Sequence, residues 1–74
     1  MSETLKFKTF CFEIYKAEKN LSGETALELF QKHKVFEYLD DFYDVLHATG
    51  HRYIINDIDL YIEARTKTKG LLLY

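Results

Sequence analysis

The chain has 74 residues, a formal net charge of −2 and a composition that is 47% hydrophobic and 16% aromatic, with Cys11 its single cysteine. A domain this short buries only about 60% of the surface its unfolded form exposes, and one cysteine excludes an internal disulfide and a cysteine-based zinc site. The weak negative charge gives no long-range pull toward nucleic acid or anionic lipid, and no apolar run approaches the ~20 residues that span a bilayer.

The opening MSETLKFKTF has neither the apolar stretch nor the small-residue cleavage site of an export signal. With a free thiol, this predicts a soluble cytoplasmic protein. Ser2 or Thr4 is placed to cap a first helix, and Glu3 suits the positive end of its dipole. Phe7, Phe10, Cys11, Ile14 and Ala17 then recur at helical spacing and predict the buried stripe. Leu5, Phe12 and Tyr15 fall off it, so either neighbouring helices wrap this one or a second face meets another chain.

Residues 19–23 interrupt the pattern. Ser22 is the N-cap expected for a second, short helix, with Leu21 and Ala26 as a weak hydrophobic staple across it. Ala26, Leu27 and Phe30 form its apolar face, and Lys32, His33 and Lys34 suit its negative end. A third helix is predicted from Val35 to His47. Phe36, Leu39, Tyr43 and Leu46 form its stripe, broadened by Val35, Phe42 and Val45. So wide an apolar surface places this helix at the centre of the bundle. Glu37, Asp40, Asp41 and Asp44 make its polar side acidic, and Gly50 is expected to end it in a left-handed conformation.

Ile54 and Ile55 are β-branched, but a strand so short would lack a partner, so helix is the expected state, with its start open by several residues. Asn56 or Asp57 is the expected cap of a last helix running to about Arg65, with Asp57 and Asp59 in its first turn. The expected architecture is all-α, a compact bundle of about four short helices over residues 1–65. A tail over residues 66–74 follows, basic at first and then apolar. Leu71, Leu72, Leu73 and Tyr74 would be an odd end to leave in water, so they are expected to dock on this core or on a neighbour.

Few constellations carry chemistry. Asp44, His47 and His51 have ligand-like spacing for a transition metal, but Gly50 interrupts it, and histidines at a helix end are favourable without a metal. The preferred reading holds no metal and no cofactor. The carboxylates of the third helix lack the companions of a hydrolytic or phosphate-binding motif. They read as a solvated face, or as a charged rim that orients a partner. Cys11 on an apolar stripe reads as a buried thiol without activation. The aromatic rings exceed what one seam requires, and tyrosine is enriched at interfaces because its ring is buried while its hydroxyl stays wet. Phe12, Tyr15, Tyr38, Tyr61 and Leu71 to Tyr74 are therefore the candidate apolar anchors for a partner, rimmed by Asp40, Asp41 and Asp44.

The connection Leu21-Ser22-Gly23, the turn from Leu46 to Gly50 and the segment Tyr53 to Asp59 resemble corresponding features of a family of very short bacterial proteins of unknown function, DUF3791. The resemblance spans roughly residues 7 to 65. It implies no established activity and no catalytic residues. It does imply a chain often encoded beside ADP-ribosyltransferase-like proteins, an arrangement common for toxin–antitoxin pairs. The expected function is a non-enzymatic protein–protein interaction module, antitoxin-like or an accessory subunit of an effector pair. Its partners would be a second copy of itself, a protein encoded nearby, or both. The alternative is a small dimeric nucleic-acid-associated regulator using Arg52, Arg65, Lys67 and Lys69 on phosphate. The acidic last helix argues against a helix-turn-helix reader.

Overall fold

The computed structural model describes the backbone of residues 2–71 and the side chains of residues 2–67. Five helices follow one another: α1 (Glu3–Glu18), α2 (Gly23–Lys32), α3 (Val35–Asp41), α4 (Tyr43–Leu46) and α5 (His51–Leu71). Among the described residues there is no strand. The all-α expectation holds, with one helix more than the spacing suggested. No helix among the described residues is long and apolar enough to cross a membrane.

Local chemistry sets most of the boundaries. Ser2 caps α1, its hydroxyl accepting from the Leu5 amide at 3.1 Å, and Ser22 caps α2 by the same bond from Thr25 at 3.1 Å. Such caps satisfy amides that the helix itself leaves without partners, and each contributes roughly 1 kcal/mol. α1 closes with Asn20 in the left-handed region (φ 56°), the Leu21 amide reaching back to the Lys16 carbonyl and the Asn20 amide to that of Ala17. This is a Schellman closure with asparagine where glycine is commonest. α2 ends against Lys34, also at φ 56°, and the Lys34 carbonyl accepts from the Tyr38 amide to start α3.

Four expectations are corrected. The single helix from Val35 to His47 is two, parted at Phe42 (φ −113°, ψ 23°), whose carbonyl takes both the Val45 and Leu46 amides. Gly50 has no positive φ. Instead of ending a helix, it starts α5 by accepting from the Ile54 amide at 3.1 Å. The last helix therefore begins at His51, well before Asn56, and runs on past Arg65 to Leu71. Finally, the stripe that α1 buries differs from the expected one. Cys11 and Tyr15 are buried and Phe7 and Ile14 half-buried, while Phe10 and Ala17 are exposed.

That last difference has a packing cause. α1 meets α2, α3 and α5, so it lies at the centre of the bundle in the place expected for the third helix. A helix contacted on several sides has no single inward stripe. Phe12 turns toward Phe30 and Phe36, with ring centroids 5.4 and 6.0 Å away, and Tyr15 toward Phe30 at 5.5 Å. The fully buried residues Cys11, Phe30, Val35, Leu39, Ile54 and Ile58 fill the space between the helices. Ile54 and Ile58, one turn apart, give α5 its inward face, and their burial outweighs the weak helix preference of β-branched residues.

Candidate functional site

Two features stand out from this frame: a closed polar network that fixes α5, and apolar surface that the fold leaves open.

The network is centred on Asp57-Ile58-Asp59. In a helix these residues point about 100° apart, so the fully buried Ile58 is flanked by carboxylates directed to either side. The Tyr38 hydroxyl donates to Asp57 Oδ2 at 2.5 Å, and the Tyr15 hydroxyl donates to Asp59 Oδ1 at 2.6 Å. Lys19 Nζ meets the other oxygen of Asp59 at 2.5 Å. α5 is thus held by α3 on one side and by α1 on the other. Burial, and after it the bond to Asp59, pushes the Tyr15 phenol well above its ordinary range. Burial and the bond to Asp57 do the same for Tyr38. No buried side-chain nitrogen or oxygen among the described residues lacks a hydrogen-bond partner. The aspartates expected as first-turn caps are therefore interhelical acceptors, because the helix begins six residues before the first of them.

The open surface has two parts. A shallow groove of about 430 Å³ runs between α1, α2 and α3, lined by Leu5, Lys8, Thr9, Phe12, Leu27 and Phe36. Leu5, Lys8, Thr9 and Phe12 share one face of α1 through spacings of three and four. Thr9 satisfies its own hydroxyl on the Leu5 carbonyl (3.0 Å), so the floor stays apolar. Lys8 closes one rim by pairing with Asp40 at 2.8 Å. The second part is the outer edge of α3 and α4, where Phe42 is 49% and Val45 64% exposed. The Phe42 ring lies 5.0 Å from that of Tyr38, which in turn stacks on Tyr61 at 4.0 Å. Tyr53 and Leu60 on α5 are also more than half exposed.

The candidate anchors fare differently. Phe12 forms a wall of the groove and is half-buried. Tyr15, expected at the contact surface, is 4% exposed with its hydroxyl engaged, and so belongs to the core. Tyr38 and Tyr61 are half-buried, stacked on each other, with Arg65 over the Tyr61 ring at 5.7 Å. Asp40 pairs with Lys8, while Asp41 and Asp44 are exposed. Leu72, Leu73 and Tyr74 lie outside the described residues, as does the side chain of Leu71. The expected anchors omitted Leu5, Leu27, Phe42, Val45, Tyr53 and Leu60, whose exposure marks them as candidates. Leu5 already stood off the first stripe in the sequence. Phe42 and Val45 were assigned to a buried stripe by their spacing, so nothing in the sequence distinguished them.

The metal-like triplet does not assemble. His47 Nδ1 lies 2.7 Å from the Tyr43 carbonyl and its ring stacks on Tyr43, whereas His51, at the start of α5, packs against Phe10. Among the described residues no three or more histidine, cysteine, aspartate or glutamate side chains are grouped so as to hold a metal ion. Cys11 is fully buried, and burial pushes its thiol up to about 12, far from a reactive thiolate.

The chain belongs to the family of proteins of unknown function DUF3791, whose profile matches residues 6–65. That span holds the groove apart from Leu5, the α3–α4 edge and the Asp57-Ile58-Asp59 network. No curated protein and no solved structure matches the chain.

Proposed function

We propose that this member of DUF3791 is a non-enzymatic protein–protein interaction module, antitoxin-like or an accessory subunit of a bacterial effector pair. One contrast carries the reading. Every buried side-chain nitrogen and oxygen among the described residues is satisfied internally, while Leu5, Leu27, Phe42, Val45, Tyr53 and Leu60 remain 42–64% exposed. Single exposed hydrophobes are ordinary, but a groove lined by Leu5 and Leu27 and an edge carrying Phe42 and Val45 on so small a domain favour a contact surface. The partner is a second copy, a protein encoded nearby, or both. An ADP-ribosyltransferase-like neighbour, which the family resemblance implies, is the first to try.

The regulator reading has less support. Arg65 lies over Tyr61, Lys67 pairs with Glu63 at 2.9 Å, and Arg52 lines a furrow shared with Glu18 and Asp59. These cations form no continuous phosphate track. Light scattering tests the module reading, first on the purified chain across a concentration series and then on its mixture with the purified product of the adjacent gene. The expected result is a dimer or a complex of fixed stoichiometry. A monomer at every concentration that leaves the neighbour's mass unchanged overturns it.

A further inference from the structure

We infer that the outer edge of α3 and α4 docks a cationic amphipathic segment of a partner protein, with Phe42 and Val45 as the apolar contact and Glu37, Asp41 and Asp44 as the charged rim. The inference rests on the module reading and adds the chemistry of the partner.

Phe42 and Val45 lie within one turn, since the amides of both Val45 and Leu46 bond to the Phe42 carbonyl. The Phe42 ring is backed by Tyr38, which is itself fixed by Asp57 and by stacking on Tyr61. The platform is therefore rigid before anything binds, which lowers the ordering cost of association.

The surrounding charge is one-sided. Residues 35–50 contain four carboxylates and no lysine or arginine. Asp40 is matched by Lys8, but Glu37, Asp41 and Asp44 are exposed and take part in none of the ion pairs among the described residues. Asp41 also closes α3, whose last turn holds no basic residue, so its carboxylate sits at the negative end of the helix dipole. Stability alone would place a lysine or arginine there. Lys8 is taken up by Asp40, and Lys34 and Arg65 lie toward the opposite end of α3, where Tyr61 meets the Lys34 carbonyl and Arg65 covers the ring.

Charge complementarity selects the occupant. A second copy meeting this edge through a two-fold axis would bring Asp41 and Asp44 against their own equivalents, so a self-contact is disfavoured. A helix with apolar residues three and four apart and lysines or arginines on its flanks satisfies both the exposed ring and the unmatched acids.

The test uses the full chain and two labelled probes, an amphipathic helical peptide of leucine and lysine and its leucine–glutamate counterpart, followed by fluorescence anisotropy over a salt series. The lysine peptide is expected to bind with an affinity that falls as salt rises, and the glutamate peptide not to bind. Asp41→Lys combined with Asp44→Lys should weaken binding about tenfold or more, as should Phe42→Ser combined with Val45→Ser. Both variants alter exposed side chains and should keep the helical circular dichroism of the parent. Equal binding of the two peptides, or undiminished binding to the charge-reversed chain, overturns the inference and leaves the module reading to its own light-scattering test. Conversion of a wild-type dimer to a monomer by Phe42→Ser with Val45→Ser also overturns it, by assigning the edge to a second copy.

Discussion

Replacing Tyr15 by phenylalanine removes one oxygen and leaves the ring where it is, so it isolates the bond that ties α1 to α5. A hydrogen bond to a charged acceptor contributes roughly 1.5–3 kcal/mol when both partners are dry. Tyr15 is almost fully buried, but the Asp59 side chain is 35% exposed and keeps Lys19 at 2.5 Å. Solvent at the acceptor brings the loss to the foot of that range or just below it, about 1–1.5 kcal/mol. A domain of this size is stable by only ~4–11 kcal/mol, and a loss of that order lowers Tm by ~5–10 °C. Urea unfolding followed by far-ultraviolet circular dichroism measures it directly. Two protein concentrations are needed, because any association adds concentration-dependent stability. If Tyr15→Phe unfolds within about 0.3 kcal/mol of the wild type, the Tyr15–Asp59 bond does not hold α5, and the structural reading of Asp57-Ile58-Asp59 fails with it.

Two further outcomes follow from the same frame. Stability should fall on the alkaline side, because Cys11 rises from 9.0 to about 12 and Tyr15 and Tyr38 rise above 10.0 on folding. Each group's contribution is whole below its unfolded value and is lost as pH climbs toward the folded one, at up to about 1.4 kcal/mol per pH unit per group. The urea midpoint should therefore be level near neutrality and decline above about pH 9, with Tyr15→Phe flattening the decline only above about pH 10; a level midpoint through that range contradicts it. Lys34→Gly should raise stability by about 0.5–1 kcal/mol, since a left-handed lysine costs roughly 1–2 kcal/mol and glycine returns part of that in unfolded-chain entropy. A lowered urea midpoint for that variant counts against the strain.

The parts of this fold that depend on near neighbours were legible in the sequence. Ser2 and Ser22 cap as their positions indicated, and the spacing of apolar residues located α1, α2 and the stretch beginning at Val35. The break at Phe42 left no mark, because Leu39 and Leu46, seven residues apart, face the core equally well in a continuous helix and in the broken one. Left-handed turns were misplaced because glycine is the usual signal, whereas here Asn20 and Lys34 take that role and Gly50 does not. The Tyr15–Asp59 bond joins positions 44 apart, and local pattern carries no information about such a pairing. For the same reason the surplus of aromatic residues was legible, but its division between core and surface was not. Tyr15 went inward, while Phe42 and Val45, read as part of a stripe, remained outside.

The central claim is that this domain completes its own fold and keeps the apolar edge at Phe42 and Val45 for another polypeptide. The most direct measurement is light scattering of wild type and of Phe42→Ser with Val45→Ser, each mixed with the purified product of the adjacent gene, together with their urea midpoints. The account predicts that the variant unfolds at the same urea concentration as the wild type, or a higher one, and no longer assembles. A variant that assembles like the wild type, or that loses its fold along with its assembly, contradicts it.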